Sequence, residues 1–334
     1  MTLPTRRISQ FTVSAIGLGA MGLSHAYDVA PSPEDGARLL NAALDRGVTL
    51  IDTAALYGGG GNERLIAGAI MHRKAEFTLA SKCVLEIVDG KRILDGSPEA
   101  ITRSVESSLG RLGTDHIDLL YLHRPDHRVA IEESVGALVR LKEAGKIGSI
   151  GLSEMSAEAV RRAHAVHPIA AVQTEYSPIV RNAEVAVLDT CRALGIAFVA
   201  FSPVARGLLA GSVRDAAYAP GDIRAAMPRF IEPNLSHNLA AVGAFESLAA
   251  ALGHTPAQVA LAWVLARGEH VVPIPGTRSI AHLEENLAAA AIVLDAETID
   301  RVSAIFDGTI RGPRYNAANQ AQIDTETLPG EALA

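Results

Sequence analysis

Three short apolar runs in this sequence end beside residues that can move or steer a proton. Val48–Asp52 closes on a carboxylate and leads, within one short turn, to the phenol of Tyr57. Thr78–Ser81 is followed by the ammonium of Lys82, and Ile117–Leu122 by the imidazole of His123. Singly, each has an ordinary explanation: a loop cap, a core aromatic, a solvated lysine, a packed histidine. Together they describe one chemistry. A phenol with a pKa of ~10 is a poor acid near neutrality. A neighbouring ammonium and a low-dielectric pocket are expected to favour the phenolate and ease proton donation. Asp52 supplies the counter-ion that keeps a buried Lys82 charged, and His123 is suited to hold a carbonyl oxygen and stabilise charge developing on it. Such a site protonates an oxygen while something else attacks the carbon. A hydride is the natural attacker, and a hydride needs a cofactor to carry it.

For these side chains to meet, their runs must be neighbouring strands of one sheet. Eight runs have the short, unalternated apolar character of parallel strands buried on both faces: Ser14–Leu18, Val48–Asp52, Thr78–Ser81, Ile117–Leu122, Ile147–Leu152, Ala170–Thr174, Ala197–Phe201 and Val271–Ile274. Helical patterns separate them at Glu34–Asp45, Asn62–Met71, Pro98–Leu112, Ile131–Ala144, Ala157–His164, Glu184–Leu194, Ser236–Leu252 with Pro256–Ala266, and Ile280–Ala290. Strict alternation predicts a (β/α)8 barrel, whose active site lies at the C-terminal ends of the strands. An open doubly wound sheet is the competing arrangement. Arg6–Val13 reads as a short hairpin before the first strand, while Pro203–Leu235 and Phe306–Ala334 fit no regular unit and read as long loops at the rim. No internal boundary divides residues 1–334, so a single domain is expected.

Gly17-Leu18-Gly19-Ala20-Met21-Gly22 matches the dinucleotide fingerprint G-x-G-x-x-G after a strand. In that fold a helix starts inside the glycine turn to hold the pyrophosphate. Here Pro31 and Pro33 delay the next helix, so the glycines are better read as letting a strand end approach a ligand closely. The balance of 30 basic and 37 acidic residues gives a net charge of −7, without the basic face that nucleic acid requires. Met1–Gln10 lacks the apolar core of roughly 7–15 residues that marks a signal peptide, and no run approaches a membrane span. Two cysteines, Cys83 and Cys191, make no disulfide framework, and a cytoplasmic setting is expected. The histidine spacings (His123 with His127, His164 with His167) lack the further ligands a metal would need.

The blocks around these residues resemble the aldo-keto reductase superfamily along nearly the whole chain. They are Asp52 to Gly58 with Gly61-Asn62-Glu63; Leu79 to Lys82; Arg111 to Asp126; Gly145-Lys146-Ile147 to Glu154; Gln173 to Ser177; Phe201 to Gly207; and Pro275 to Arg278 with Leu283 to Asn286. The resemblance implies a barrel that reduces aldehydes and ketones with NADPH, NADH being the alternative cofactor. By it, Tyr57 is the general acid, Lys82 tunes it, Asp52 holds Lys82, and His123 orients the carbonyl. Ser153, Glu154 and Gln173 would bind the nicotinamide amide, with Tyr176 stacked beneath the ring. Gly19, Ala20 and Met21 would line the cofactor at the first strand's end. Phe201, Ser202, Pro203, Val204 and Arg206 would form the pyrophosphate loop. Gly276, Thr277, Arg278, His282, Glu285 and Asn286 would surround the adenosine end. His282 departs from the arginine most relatives carry there, leaving Arg278 as the permanent cation for a 2′-phosphate.

Substrate contacts are expected from Met21, Leu23, Tyr27, Leu56 and Phe230, in loops that vary without harming a barrel. The partner expected is a small carbonyl compound, with neither nucleic acid nor membrane involved. Two other classes of function remain open at this point. One is a cofactor-binding regulatory or redox-sensing subunit on the same barrel. The other is a lyase with Lys82 as a Schiff-base nucleophile, which requires that amine to be neutral.

Overall fold

The computed structural model describes residues 3–333; the ends of the expected domain, residues 1, 2 and 334, lie outside it. A hairpin of β1 (Thr5–Ile8) and β2 (Phe11–Ser14) comes first, close to the segment expected. Eight parallel strands then form one curled sheet: β3 (Leu18–Gly19), β4 (Leu50–Asp52), β5 (Thr78–Cys83), β8 (Ile117–Leu122), β9 (Ile147–Ser153), β10 (Ala171–Glu175), β11 (Ala197–Phe201) and β12 (Val271–Pro273), in that spatial order. The first and last strands meet through the N–H of Gly17, donating to Pro273 O at 3.0 Å, and that of Gly19, donating to Pro275 O at 3.2 Å. That closure is the (β/α)8 barrel. A Cβ on Gly19 would stand 2.8 Å from Ile274 O, so only glycine allows the two strand ends this close.

Two sets of apolar side chains hold the fold. Inside the barrel, Leu50, Ala80, Leu119, Tyr121, Val199 and Val272 pack with Ile8 and Val13 of the hairpin, which plugs the end opposite the expected active site. Outside it, a larger layer joins the strands' other faces to the helices. The helices are α1 (Pro33–Asp45), α2 (Gly61–Ile70), α3 (Pro98–Leu112), α4 (Ile131–Glu143), α5 (Ala157–Val166), α6 (Val187–Leu194), α7 (Asn234–Ala251), α8 (Pro256–Leu265), α9 (Ile280–Ala288), α10 (Ala296–Phe306) and the short α11 (Ala317–Gln320). Their starts follow local chemistry. Ser32, Ser97, Ser156 and Thr255 each accept an N–H of the first turn, and Pro33, Pro98 and Pro256 occupy early positions that need no donor.

Four elements, β6, β7, α10 and α11, lie outside those expected from the sequence. A second hairpin, β6 (Leu85–Val88) with β7 (Lys91–Leu94), rises from the end of β5. Its turn is Asp89-Gly90, both at positive φ, the two-residue signal that joins antiparallel strands. Helix α10 follows the last expected helix, and the tail expected to be irregular contains α11. The first barrel strand is also shorter than expected, because Ser14 belongs to the preceding hairpin. Among the described residues no single helix is long and apolar enough to cross a membrane.

Candidate active site

Asp52, Lys82 and His123 come from the ends of β4, β5 and β8, three consecutive strands, and Tyr57 from the turn after β4. Lys82 is almost completely buried and its ammonium donates to Asp52 Oδ1 at 2.5 Å, Thr53 O at 2.8 Å and Tyr57 Oη at 3.2 Å. All three of its protons are therefore engaged. Burial pulls the Lys82 pKa down, but Asp52 and Tyr57 outweigh it and hold the amine above its ordinary value. A charged, fully engaged ammonium has no lone pair to give a carbonyl, which removes the Schiff-base lyase reading.

The Tyr57 and His123 rings meet edge to face with centroids 5.8 Å apart, and the His25 ring lies 5.5 Å from that of Tyr57. One expectation needs correction here. Burial raises the Tyr57 pKa and exceeds the opposing pull of Lys82, so the low-dielectric setting works against the phenolate. Tyr57 thus rests as a protonated phenol. Burial, then the charges of Arg124 and Lys82, push His123 well below the ordinary histidine value and keep its imidazole neutral. Its Nδ1 is buried with no hydrogen-bond partner among the described residues.

The turn carrying Tyr57 is fixed from behind. Gly60 sits at φ 85°, and a Cβ there would lie 2.5 Å from Arg111 Cδ. The bare turn lets Arg111 pass and bind Glu63, Nε to Oε2 at 2.6 Å, while Ser81 donates to Glu63 Oε1 at 2.7 Å. Asn62 donates to Ala20 O and to Ser24 Oγ, both at 2.8 Å, and accepts from Thr53 at 2.6 Å. The Gly-Asn-Glu block and the arginine before β8 are thus a scaffold binding three strand ends together.

Above Asp52, Tyr57 and His123 opens a cleft of about 410 Å³. Gly19, Met21, Tyr27, Leu56, Ser153, Gln173, Phe201, Ser202, Pro203, Val204 and Arg206 line it, as do Gly276, Thr277, Arg278, His282, Glu285 and Asn286. Five expected residues are not brought there. Ala20, Leu23 and Phe230 are buried in the larger apolar layer and do not line the cleft. Tyr176 is fully buried outside the cleft against Phe198 and Trp263, with its hydroxyl donating to Glu184 at 2.7 Å. Glu154 has a left-handed backbone (φ 55°) that turns its carboxylate beneath the rim. There it accepts from Arg314 at 2.5 Å and from the Glu175 N–H at 2.8 Å. Phe201 is the aromatic ring from β10 and β11 that does face the cleft.

The cleft walls also include His25, Arg92, Arg124, Arg224, Tyr315 and Asn319, which are not among the site residues expected from the sequence. Arg92 belongs to the β6–β7 hairpin, so its placement followed from the overlooked Asp89-Gly90 turn. Tyr315 and Asn319 come from the tail folding across the mouth.

The donor set suits an elongated, anionic cofactor. The floor between β3 and β12 carries no side chains at Gly19 and Gly276, where a Cβ on Gly276 would lie 3.0 Å from Gly19 O. Hydroxyls of Ser153, Ser202 and Thr277 and the cation of Arg278 line the same cleft. The loops after the seventh and eighth strands are also where barrels hold phosphates. Arg206 is a wall cation with a prior partner: it forms a buried pair with Glu175, at 2.9 Å. Among the described residues no group of three or more His, Cys, Asp or Glu is arranged to hold a metal ion. Cys83 and Cys191 are free and buried, with burial raising both thiols.

The sequence profile of the Aldo/keto reductase family matches residues 15–307. The chain belongs to that family. It is similar to the aldo-keto reductase yakc [NADP(+)] of Schizosaccharomyces pombe, 40% identical over 98% of this chain and 100% of that protein. The probable aldo-keto reductase 1 of Glycine max is also 40% identical, over 91% of this chain and 89% of its own. Among solved structures, the glycerol dehydrogenase of Gluconobacter oxydans superposes with a TM-score of 0.84 at 31% identity, covering 92% of this chain and 97% of that one. An aldo/keto reductase from Klebsiella pneumoniae, solved with NADP and acetate, gives 0.73 at 28% identity over 95% of this chain and 99% of that one.

Proposed function

We propose that this reductase converts an aldehyde or ketone to the alcohol, with NADPH along the cleft and Tyr57 delivering the proton. The reading is carried by the buried relay Asp52–Lys82–Tyr57, whose phenol opens into the cleft. The cofactor, when bound, supplies the hydride, which no amino-acid side chain can. Tyr57 is protonated at neutral pH, the state a general acid needs. As negative charge gathers on the carbonyl oxygen, the phenol passes its proton there. The phenolate left behind faces Lys82 Nζ at 3.2 Å, and Asp52 keeps that ammonium charged. The neutral imidazole of His123 offers one N–H to the same oxygen without competing as an acid.

For the cofactor, Ser153 and Gln173 suit the nicotinamide end, Ser202 and Val204 the pyrophosphate, and Gly276, Thr277, Arg278 and Asn286 the adenosine end. The S. pombe relative is named for NADP(+) and the K. pneumoniae structure holds NADP, which supports NADPH here. A single domain working in the cytoplasm on small carbonyl compounds, without nucleic acid or membrane, completes the reading. The test is NADPH oxidation across a panel of aldehydes and ketones, with NADH in parallel. Tyr57→Phe should keep cofactor affinity and lose at least ~10²-fold in turnover, the scale of a missing general acid. Near-wild-type turnover in that variant would sink the assignment.

A further inference from the structure

We infer that the substrate carries an anionic group, a carboxylate or a phosphate, which Arg92 and Arg124 receive at the mouth of the cleft. The inference deepens the proposed reductase function and rests on it. It starts from an imbalance among the cleft's arginines, which are Arg92, Arg124, Arg206, Arg224 and Arg278. Arg206 is neutralised by Glu175, Arg224 by Asp222, and Arg278 by Asp28, at 2.9, 2.6 and 3.0 Å. Arg92 and Arg124 have no carboxylate partner among the described residues. Arg92 donates only to neutral side-chain amides of the tail, Gln322 at 2.8 Å and Asn319 at 3.4 Å. Arg124 donates to His123 O at 2.7 Å and to Ser153 Oγ at 3.4 Å.

These two cations stand on the substrate side. Arg124 follows His123 directly in sequence, and its charge acts on both His123 and Tyr57. Arg92 extends from the exposed β6–β7 hairpin into the cleft that Arg124 also lines. The acids that line the cleft are Asp28, Asp52 and Glu285. Asp52 is committed to Lys82 and Asp28 to Arg278, and Glu285 lies on α9 at the expected adenosine end. No acid is therefore left to repel an anion beside Tyr57. Two uncompensated guanidiniums repel each other, and an oxyanion that accepts a planar fork from each removes that cost. Neutral His123 adds no third charge.

The test compares matched aldehydes: 4-carboxybenzaldehyde with its methyl ester, and glyceraldehyde 3-phosphate with glyceraldehyde. The readout is the ratio of kcat/KM, charged over neutral, at low and high salt. Wild type should favour at least one charged aldehyde by ~10-fold or more, the worth of one charged hydrogen bond. The preference should shrink with salt, because Arg92 is exposed at the rim. Arg92→Gln should cut the ratio several-fold, with the change carried in KM. Which arm shows the preference distinguishes a carboxylate from a phosphate. Arg124→Gln tests the second cation, and benzoate against benzamide as inhibitors of neutral-aldehyde reduction gives a readout in wild type that needs no variant to fold. Brisk reduction of neutral aldehydes without any charged preference overturns this inference alone. A preference untouched by both substitutions overturns it too. Failure to reduce any of the four aldehydes overturns the reductase reading and this inference with it.

Discussion

Gln173 Nε2 donates to Asp52 Oδ2 at 2.7 Å, the carboxylate oxygen that Lys82 leaves free. The amide expected to face a nicotinamide therefore also locks the acid at the base of the proton relay. Asp52 is held from two strands, with Lys82 on β5 and Gln173 on β10, and has no freedom to turn away from the ammonium.

Asp52→Asn should accordingly cost both stability and turnover. It leaves Lys82 buried with only neutral acceptors, and removing one partner of a buried ion pair typically costs ~3–5 kcal/mol. The Lys82 pKa should drop, since Asp52 is the largest influence raising it against burial. Chemical denaturation reads the first effect and single-turnover reduction the second. Wild-type stability in Asp52→Asn would mean that Gln173 and Thr53 O suffice to hold the lysine.

Burial also makes a statement about pH. His123 is neutral in the folded protein because its pKa lies well below the ordinary value. The unfolded chain takes up a proton near pH ~6.5 while the folded protein does not. Stability from this group is therefore complete above ~6.5 and falls below it, by at most ~1.4 kcal/mol per pH unit. Between pH 7 and 5.5, wild type should lose about 1 kcal/mol more than His123→Gln does. Parallel stability curves for the two proteins would show that the imidazole titrates normally in the folded state. The same burial predicts that kcat/KM has no acidic limb near pH ~6.5 from His123.

Much of this site could be read from the chain because the chemistry falls at strand ends. Eight apolar runs set the barrel, and the residues just past Ile51, Ser81 and Leu122 then had to share its rim. What escaped was direction beyond the last strand residue. Ser153 faces the cleft, but the left-handed turn at Glu154 sends the next carboxylate under the rim, and no residue type announces that turn. Tyr176 lies one residue past β10 and packs outward against Trp263, a partner distant in sequence. Arg92 was lost with its hairpin, despite the Asp89-Gly90 signal. Leu23 and Phe230 are apolar enough for either a pocket wall or the core behind it, and the fold puts them in the core.

The turned-down Glu154 yields its own prediction. Its carboxylate pairs with Arg314 in the tail, and both side chains are almost fully buried. Arg314→Met leaves Glu154 without its cation and should destabilise by ~3–5 kcal/mol. Adding Glu154→Gln should restore most of that loss, since the desolvated charge is then gone. Limited proteolysis should show the tail released in the single variant and retained in the double. If the double variant is as unstable as the single, the pair matters for packing and not for charge.

Cofactor choice turns on Arg278, whose guanidinium already has occupants. It donates to Val29 O at 2.7 Å and to Asp28 at 3.0 Å, tying the loop after β12 to the loop after β3. A 2′-phosphate would compete with Asp28 for the same fork, as a doubly charged acceptor against a singly charged one. Arg278→Ala should weaken NADPH by ~1.5–3 kcal/mol, the worth of a hydrogen bond to a charged group, and NADH far less. Asp28→Asn should do the opposite, since it frees Arg278 and removes a negative charge beside the phosphate. NADPH should then tighten while NADH barely moves. Fluorescence titration of the reduced cofactors gives all of these affinities. Equal losses for NADPH and NADH in Arg278→Ala would show that the arginine braces two loops and does not read the phosphate. Selectivity would then fall to His282, the histidine of α9 that lines the cleft.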